Sequence, residues 1–307
     1  MNDFKIILCP TDFSVYSEYA MRYAQAFAKQ SGGKIHFVHV VDSRAVEGGG
    51  VEGIYITKAD VDATLSAVKE HAEAKMEHVT RKAKYSSADV EGHVIVGIPA
   101  VDIAKLAGDL KADLVVISTH GRTGLDRLIL GSTCDKILRT SPAPVLAIKH
   151  PEHEFVESDK TIHLKKVLVP CDFSSFSREA VPYAADLCRK FGASMTLAHV
   201  VDTWLDYPEF TPTIAVNNTP NLTRAAKESL ETLAKEQQDV KVEVAVTVGV
   251  PHRVLADMIK IDNVDLVVMT THGRSALAHL LLGSVTEKVV RHSSCPVLVI
   301  HPRHQEK

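Results

Sequence analysis

Short β-branched runs alternate with amphipathic stretches along the chain, and the alternation is played twice. Ile6-Ile7-Leu8-Cys9 is a continuous apolar run of the kind that fills a strand buried on both faces. After it, Tyr19, Ala20, Tyr23, Ala24 and Phe27 recur at helical spacing and predict a helix over about 14–30. The pattern then predicts a strand at 34–41, a loop, a helix at about 58–84 and a strand at 92–97. A helix at 99–110, opened by Pro99 in its first turn, follows. A strand at 113–117, a helix at about 131–140 and a strand at 145–148 complete the first half. The second half reads as strands at 165–170, 194–201, 242–248, 265–269 and 297–301, with helices at 176–191, about 220–237, 251–261 and 284–292. Continuous apolar strands separated by helices imply a parallel sheet covered on both faces. The expected fold is therefore α/β, with two repeated, doubly wound, five-stranded parallel-sheet domains.

The repetition is visible residue by residue. Pro10-Thr11-Asp12-Phe13-Ser14 matches Pro170-Cys171-Asp172-Phe173-Ser174, and His39-Val40-Val41-Asp42 matches His199-Val200-Val201-Asp202. Val96-Gly97-Ile98-Pro99 returns as Val248-Gly249-Val250-Pro251, and Ala143-Pro144-Val145-Leu146 as Cys295-Pro296-Val297-Leu298. Because the order is the same in both halves, the chain is a duplicated domain. The copies are offset by 160 residues at Asp12 and Asp172 but by 152 at Gly121 and Gly273, so the first half carries eight extra residues between Asp42 and Gly97. Glu47-Gly48-Gly49-Gly50 falls there and reads as part of a long loop. The expected boundaries are a domain at 1–150, a polar linker at 151–164 and a second domain at 165–302.

Composition removes several classes of function. At 307 residues, 45% hydrophobic and 24% charged, the chain can bury two ordinary cores without metal or disulfide. A net charge of −3 gives no electrostatic footprint for nucleic acid. No apolar run approaches a membrane span, and Met1 to Lys5 lacks the pattern of a signal peptide. The five cysteines are scattered and odd in number, which points to free thiols in a reducing cytoplasm.

The candidate chemistry lies where strands end. Asp12 and Asp172 close the first strand of each half, the place where open α/β sheets bind ligands. A carboxylate there accepts hydrogen bonds from a base or ribose; alternatively it caps the next helix, although Ser14 is itself a good cap. After the fourth strand come Ser118-Thr119-His120-Gly121 and Thr270-Thr271-His272-Gly273, each followed ten residues after its glycine by Gly131-Ser132 or Gly283-Ser284. A strand, a glycine-bearing loop and a helix N-terminus make an anion site, because exposed amides and the helix dipole favour negative charge. The plainer alternative is that these glycines shape a turn.

These motifs resemble the universal stress protein family, and both halves resemble its domain. The family signature is Gly-x-x-Gly, nine residues, then Gly-Ser/Thr; the spacers here are Arg122–Leu130 and Arg274–Leu282. The first glycine is replaced by Ser118 and Thr270, whose side chains narrow the approach to phosphate. The resemblance implies an adenine-nucleotide alpha hydrolase-like fold that binds ATP, ADP or AMP, with Mg²⁺ accompanying the phosphates. It would place Asp12 and Asp172 by the adenosine, and the backbone of Val40 and Val200 at adenine. Ser118, Gly121, Arg122, Gly131, Ser132 and Thr133, or Thr270, Gly273, Arg274, Gly283, Ser284 and Val285, would hold ribose and phosphates. It also implies that the last strands meet edge to edge, making a pseudo-dimer within the chain or a homodimer between chains, and that a protein partner reads the bound state.

Other chemistry has less support. His36 and His39 are three apart on a strand and face opposite sides, and no histidine set has ligand-type spacing, so no metal site is expected. His120 and His272 have no evident nucleophile or orienting partner, so no catalytic residue is assigned and ATP hydrolysis would be slow at most. The rival readings are a scaffold of the same fold that contacts proteins without nucleotide, and an adenylating enzyme, which the sequence Pro10-Thr11-Asp12-Phe13-Ser14 disfavours. Ser118 and Gly124 stand where the second half has Thr270 and Ala276. The first half is therefore expected to bind adenine nucleotide more tightly; calorimetric titration of the separated halves checks this, and equal or reversed affinities contradict it.

Overall fold

The computed structural model describes residues 3–47, 57–85, 89–121, 130–149, 153–202, 212–271 and 282–301. The chain forms two compact units, one built on Asp3–His150 with Ser158–Thr161 and the other on Pro151–Glu157 with Ile162–Lys307.

The first unit runs β1 (Ile6–Pro10), α1 (Val15–Ser31), β2 (Lys34–Asp42), α2 (Arg44–Glu47), α3 (Lys58–Lys84), β3 (Asp89–Gly97), α4 (Pro99–Asp109), β4 (Leu114–Ser118), α5 (Ser132–Thr140) and β5 (Val145–Ile148). Its strands are parallel in the order β3-β2-β1-β4-β5. The order reverses between β1 and β4, which opens a crevice beyond their carboxyl ends. Ile35 to Val41 of β2 are buried without interruption, as a strand covered on both faces requires. Ser14 caps α1 through the N–H of Ser17, and Gly32 ends the helix at φ 61°. Phe27 of α1 packs edge-on against Phe4 with ring centroids 5.3 Å apart.

Among the described residues the second unit runs β6 (Lys166–Pro170), α6 (Ser175–Phe191), β7 (Ser194–Asp202), α7 (Pro212–Lys235), β8 (Val242–Gly249), α8 (Pro251–Ile261), β9 (Leu266–Thr270), α9 (Ser284–His292) and β10 (Val297–Ile300). Its parallel order is β8-β7-β6-β9-β10. The strands and long helices agree with the sequence pattern in both halves; the short helix α2 (Arg44–Glu47) stands where the pattern predicts a loop, and the other differences lie at ends. Helix α7 begins at Pro212, whereas the pattern starts it near Pro220; the chain carries that proline inside the helix. Strand β3 begins at Asp89, three residues before the apolar alternation becomes legible.

Residues 153–164, expected as polar linker, are folded. Phe155, Val156 and Leu164 are buried, and Val156 bridges Ile162 in antiparallel fashion. In the second unit His153 lies with Nε2 2.5 Å from Asp265 Oδ1, while its N–H donates to the Ser294 carbonyl. All five cysteines are buried and free, and burial pushes the Cys188 and Cys295 thiols up to about 12. Among the described residues no helix is long and apolar enough to cross a membrane.

One clamp recurs in both units. Asp113, just before β4, accepts from the N–H groups of Lys5 (2.9 Å) and Ile6 (2.8 Å) where β1 begins. Asp265 does the same for Lys165 (2.7 Å) and Lys166 (2.8 Å), and there the carboxylate is buried. Asp265→Ala should therefore cost about 2–4 kcal/mol, because it removes a buried carboxylate that accepts from two part-buried backbone N–H groups. Asp113→Ala, at an exposed residue, should cost about 0.5–1.5 kcal/mol. Urea unfolding of the two variants checks the ordering, and equal losses would contradict it.

Candidate functional site

The site is assembled from the points where strands stop. Strand β1 leaves the sheet at Pro10, and the next residues are held in a tight bend. Asp12 Oδ1 accepts from the N–H (3.0 Å) and Oγ (2.6 Å) of Ser14, and the Ser14 hydroxyl in turn caps α1. Asp172 and Ser174 repeat both bonds at 3.0 and 2.6 Å. The expectation that Ser14 caps the helix is met, but Asp12 is not left wholly to a ligand: one of its oxygens braces the cap. Between them Phe13 and Phe173 sit at φ 62° and 66°, a left-handed conformation that costs a bulky residue roughly 1–2 kcal/mol. A histidine on the neighbouring strand supports each bend. His39 Nδ1 donates to the Thr11 carbonyl and His199 Nδ1 to that of Cys171, both at 2.7 Å, and each imidazole lies against its phenylalanine with centroids 4.5 Å apart.

The second strand overhangs this bend. Val38 is the last β2 residue in register with β1, and its carbonyl accepts from Thr11 N–H. Backbone direction repeats every two residues, so the N–H and C=O of Val40 also turn to that side, past the point where β1 has left the sheet. Ala198 accepts from Cys171 N–H in the same way, which orients the backbone of Val200 alike. These are an amide and a carbonyl aimed over the crevice, the pair of groups that can read the edge of a purine.

The turn after the fourth strand meets the same place. A Cβ built on Gly121 would lie 3.0 Å from Asp12 Oδ2, so the end of β1 and the exit of β4 converge. Ser118 does not point its hydroxyl at open space; Oγ donates to the His120 carbonyl at 2.8 Å. Gly131 and Gly283 are the residues before α5 and α9, and neither helix has a side-chain cap. Their N–H groups donate to Thr119 (2.8 Å) and Thr271 (2.7 Å), folding each helix start back onto the strand exit. A Cβ at Gly131 would stand 3.1 Å from the Thr119 carbonyl, and that close approach is why glycine is needed. The first-turn amides of Ser132 and Thr133, or of Ser284 and Val285, have no intrahelical acceptor and lie at the positive end of the dipole.

In the second unit these pieces enclose a cavity of about 610 Å³, a size typical of small-molecule sites. Asp172, Val200, Thr270, Gly283, Ser284 and Val285 all line it. Arg122, Gly273 and Arg274 lie outside the described residues.

A model of the universal stress protein family matches residues 3–149 and again 163–301. The chain belongs to that family. A universal stress protein of Mycolicibacterium smegmatis is 28% identical over 306 residues, covering 97% of each chain. Universal stress protein MJ0577 of Methanocaldococcus jannaschii is 29% identical over 154 residues, 48% of this chain and 95% of that protein. Among solved structures, a universal stress protein from Archaeoglobus fulgidus superposes with a TM-score of 0.70 at 22% identity, covering 100% of this chain and 99% of that one. It shares the fold along its whole length.

Within this tandem universal stress protein the two sites differ in ways the motifs do not show. Helix α7 contributes Leu222, Ala225, Ala226 and Ser229 to the second cavity. The buried Ala226 and Leu230 of α7 answer to the buried Ala72 and Met76 of α3, which sets Lys75 at the place of Ser229. Lys75 Nζ stands 5.8 Å from the centroid of Phe13, beside Asp12. At the end of β2, Arg44 grips both oxygens of Asp42 at 2.8 and 2.6 Å, and these bonds hold the Asp42 carboxyl below its ordinary range. The first site thus carries a cation and a neutralised carboxylate. Among the described residues that line the second, Asp172 and Asp202 are charged and no lysine or arginine is present.

His199→Ala should destabilise the second unit by about 1–3 kcal/mol, since it removes the partner of the Cys171 carbonyl and the ring beside Phe173. Amide hydrogen exchange should quicken at 171–174; an unchanged exchange rate there would show that the bend holds without the imidazole.

Proposed function

We propose that this universal stress protein binds an adenine nucleotide beyond the carboxyl ends of the strands in each half, and that occupancy biases its contacts with a protein partner. The cavity in the second unit carries this reading: it gathers Asp172, Val200, Thr270, Gly283, Ser284 and Val285 around one space of about 610 Å³. Apolar walls from Leu222, Ala225 and Leu255 suit a flat base, and the Val200 backbone suits its polar edge. Asp172 suits ribose hydroxyls, since a carboxylate only accepts. The amides at the start of α9 suit phosphate. The same parts recur in the first unit on Asp12, Val40, Gly121, Gly131, Ser132 and Thr133, with Lys75 adding a positive charge for phosphates and Mg²⁺ accompanying them. The reading is one of binding, with slow hydrolysis at most.

Thr270 favours one rival, a protein-contact scaffold without nucleotide: a β-branched residue lines the cavity where the family signature has glycine. The two readings part on ligand-linked stability. ATP with Mg²⁺ at about a hundred times its Kd should stabilise the chain by about 2.7 kcal/mol, seen as a rise in melting temperature. The rise should be lost in the double variant Gly131→Val and Gly283→Val: a side chain at Gly131 presses on the Thr119 carbonyl and so displaces the helix start that presents the amides. No rise in the native chain, or an equal rise in the variant, would reject nucleotide binding at these sites.

A further inference from the structure

A second cluster of polar side chains lies away from the crevice, near the amino ends of β2 and β3. The register of these parallel strands sets His36 beside Glu91 and Val38 beside His93. Alternation then puts His36, Glu91 and His93 on one face of the sheet. Helix α3 covers the other face, since a Cβ on Gly92 would strike Met76. In a strand rising about 3.3 Å per residue, His36 is roughly 13 Å from Val40, so this cluster is separate from the nucleotide crevice.

We propose that His36, Glu91 and His93 form a binding site for a divalent metal ion of the zinc class. One ligand atom from each residue lies within 4.8 Å of the other two. His36 Nδ1 and His93 Nε2 share a hydrogen bond at 2.9 Å, with the rings stacked at 20°; an arriving ion takes the place of the shared proton, which moves to the far nitrogen of its ring. Two nitrogens bound to one zinc at about 2.0–2.1 Å in a tetrahedron stand about 3.3 Å apart, so the rings need to part by only about 0.4 Å. Glu91 Oε2 is 3.9 Å from His36 Nδ1, and Oε1 is 3.9 Å from His93 Nε2; a small turn of the carboxylate brings one oxygen into the same shell. Imidazole and carboxylate are the donor set of borderline ions such as zinc. The fourth position opens to water, because Glu91 is about half exposed while His36 is buried.

Lys34 is the competitor. Its Nζ lies 2.8 Å from Glu91 Oε2, but Asp89 Oδ2 is a second acceptor 3.9 Å away. An arriving ion can therefore displace the ammonium toward Asp89 without stranding it.

The duplication supplies an internal control. In the second unit the matching register is Thr196 beside Glu243 and Ala198 beside Ala245. The same strand pair folds there with the carboxylate kept and both histidines gone. The fold itself therefore does not ask for the imidazole pair, and the two histidines are present or absent together.

The test uses the full chain, stripped with EDTA and titrated with zinc chloride by calorimetry, with cobalt(II) absorption as a second readout of four-coordinate binding. The native chain should take up one equivalent. The double variant H36T/H93A, which installs the second unit's residues, should bind about 100-fold more weakly or not at all. K34M should bind about tenfold more tightly, because it removes a cation beside the ion. E91Q, whose change sits on a half-exposed side chain, should weaken binding by about tenfold and decides the matter if H36T/H93A does not fold. No saturable uptake by the native chain, or native affinity in H36T/H93A or E91Q, would overturn the proposal. None of these outcomes depends on nucleotide binding.

Discussion

A backbone carbonyl held by an imidazole sets the geometry on which the crevice depends. A parallel sheet opens a binding space where its strand order reverses, beyond the carboxyl ends of the strands, and the space is deepened where one strand stops before its neighbour. Here β1 stops at Pro10, and β2 runs on to Asp42. The freed backbone must bend at once to enter α1, and the bend forces Phe13 into the left-handed region. Such a conformation persists only where surroundings over-determine it. His39 does this from the strand that overhangs, binding the Thr11 carbonyl with its nitrogen and supporting the Phe13 ring with its face. Asp12 is thereby placed with one oxygen on the cap and the other toward Gly121.

The second unit shows which parts of this arrangement are rigidly required. The histidine, phenylalanine, aspartate and capping serine recur with nearly the same distances. Thr11 becomes Cys171, and the hydroxyl contact to Ser17 at 3.0 Å becomes a longer sulfur contact to Ser177 at 3.6 Å. That neighbour position tolerates a weaker partner because the carbonyl, not the side chain, is what His199 grips. Residues that touch the crevice from the long helices vary more, as Lys75 and Ser229 do. The frame that makes the space has been kept through the duplication, while the charge inside it has changed.

Much of this was legible in the sequence for a physical reason. Buried parallel strands are continuous apolar runs, and their ends carry turn residues, so Ile6–Pro10 and Leu266–Thr270 announced themselves. Asp12 and Gly131 were legible because they sit at fixed steps from those ends. What escaped were features fixed by another element. Lys75 comes to Phe13 only because one face of α3 packs on the sheet, and a helix predicted from periodicity does not say which strand end a given lysine overhangs. The positive φ of Phe13 has no sequence signal, since that region favours glycine and asparagine. The folding of residues 153–164 rests on Phe155, Val156 and Leu164, apolar residues too few and too scattered to register as an element.

The imidazole pair shows the same limit most sharply. Along the chain His36 has His39 as its nearest partner, and the pleat sends those two to opposite faces: His39 to the bend, His36 to Glu91 and His93. Spacing within one strand can exclude a cluster on that strand but says nothing about what the adjacent strand delivers. Here the register of β2 with β3 decides, and a slip of one residue would send Glu91 and His93 to the face of α3. That register is set by burial of Ile35, Phe37 and Val90 on the covered side. The polar cluster on one face is thus specified by the apolar packing on the other, and a reading of polar motifs alone has no access to it.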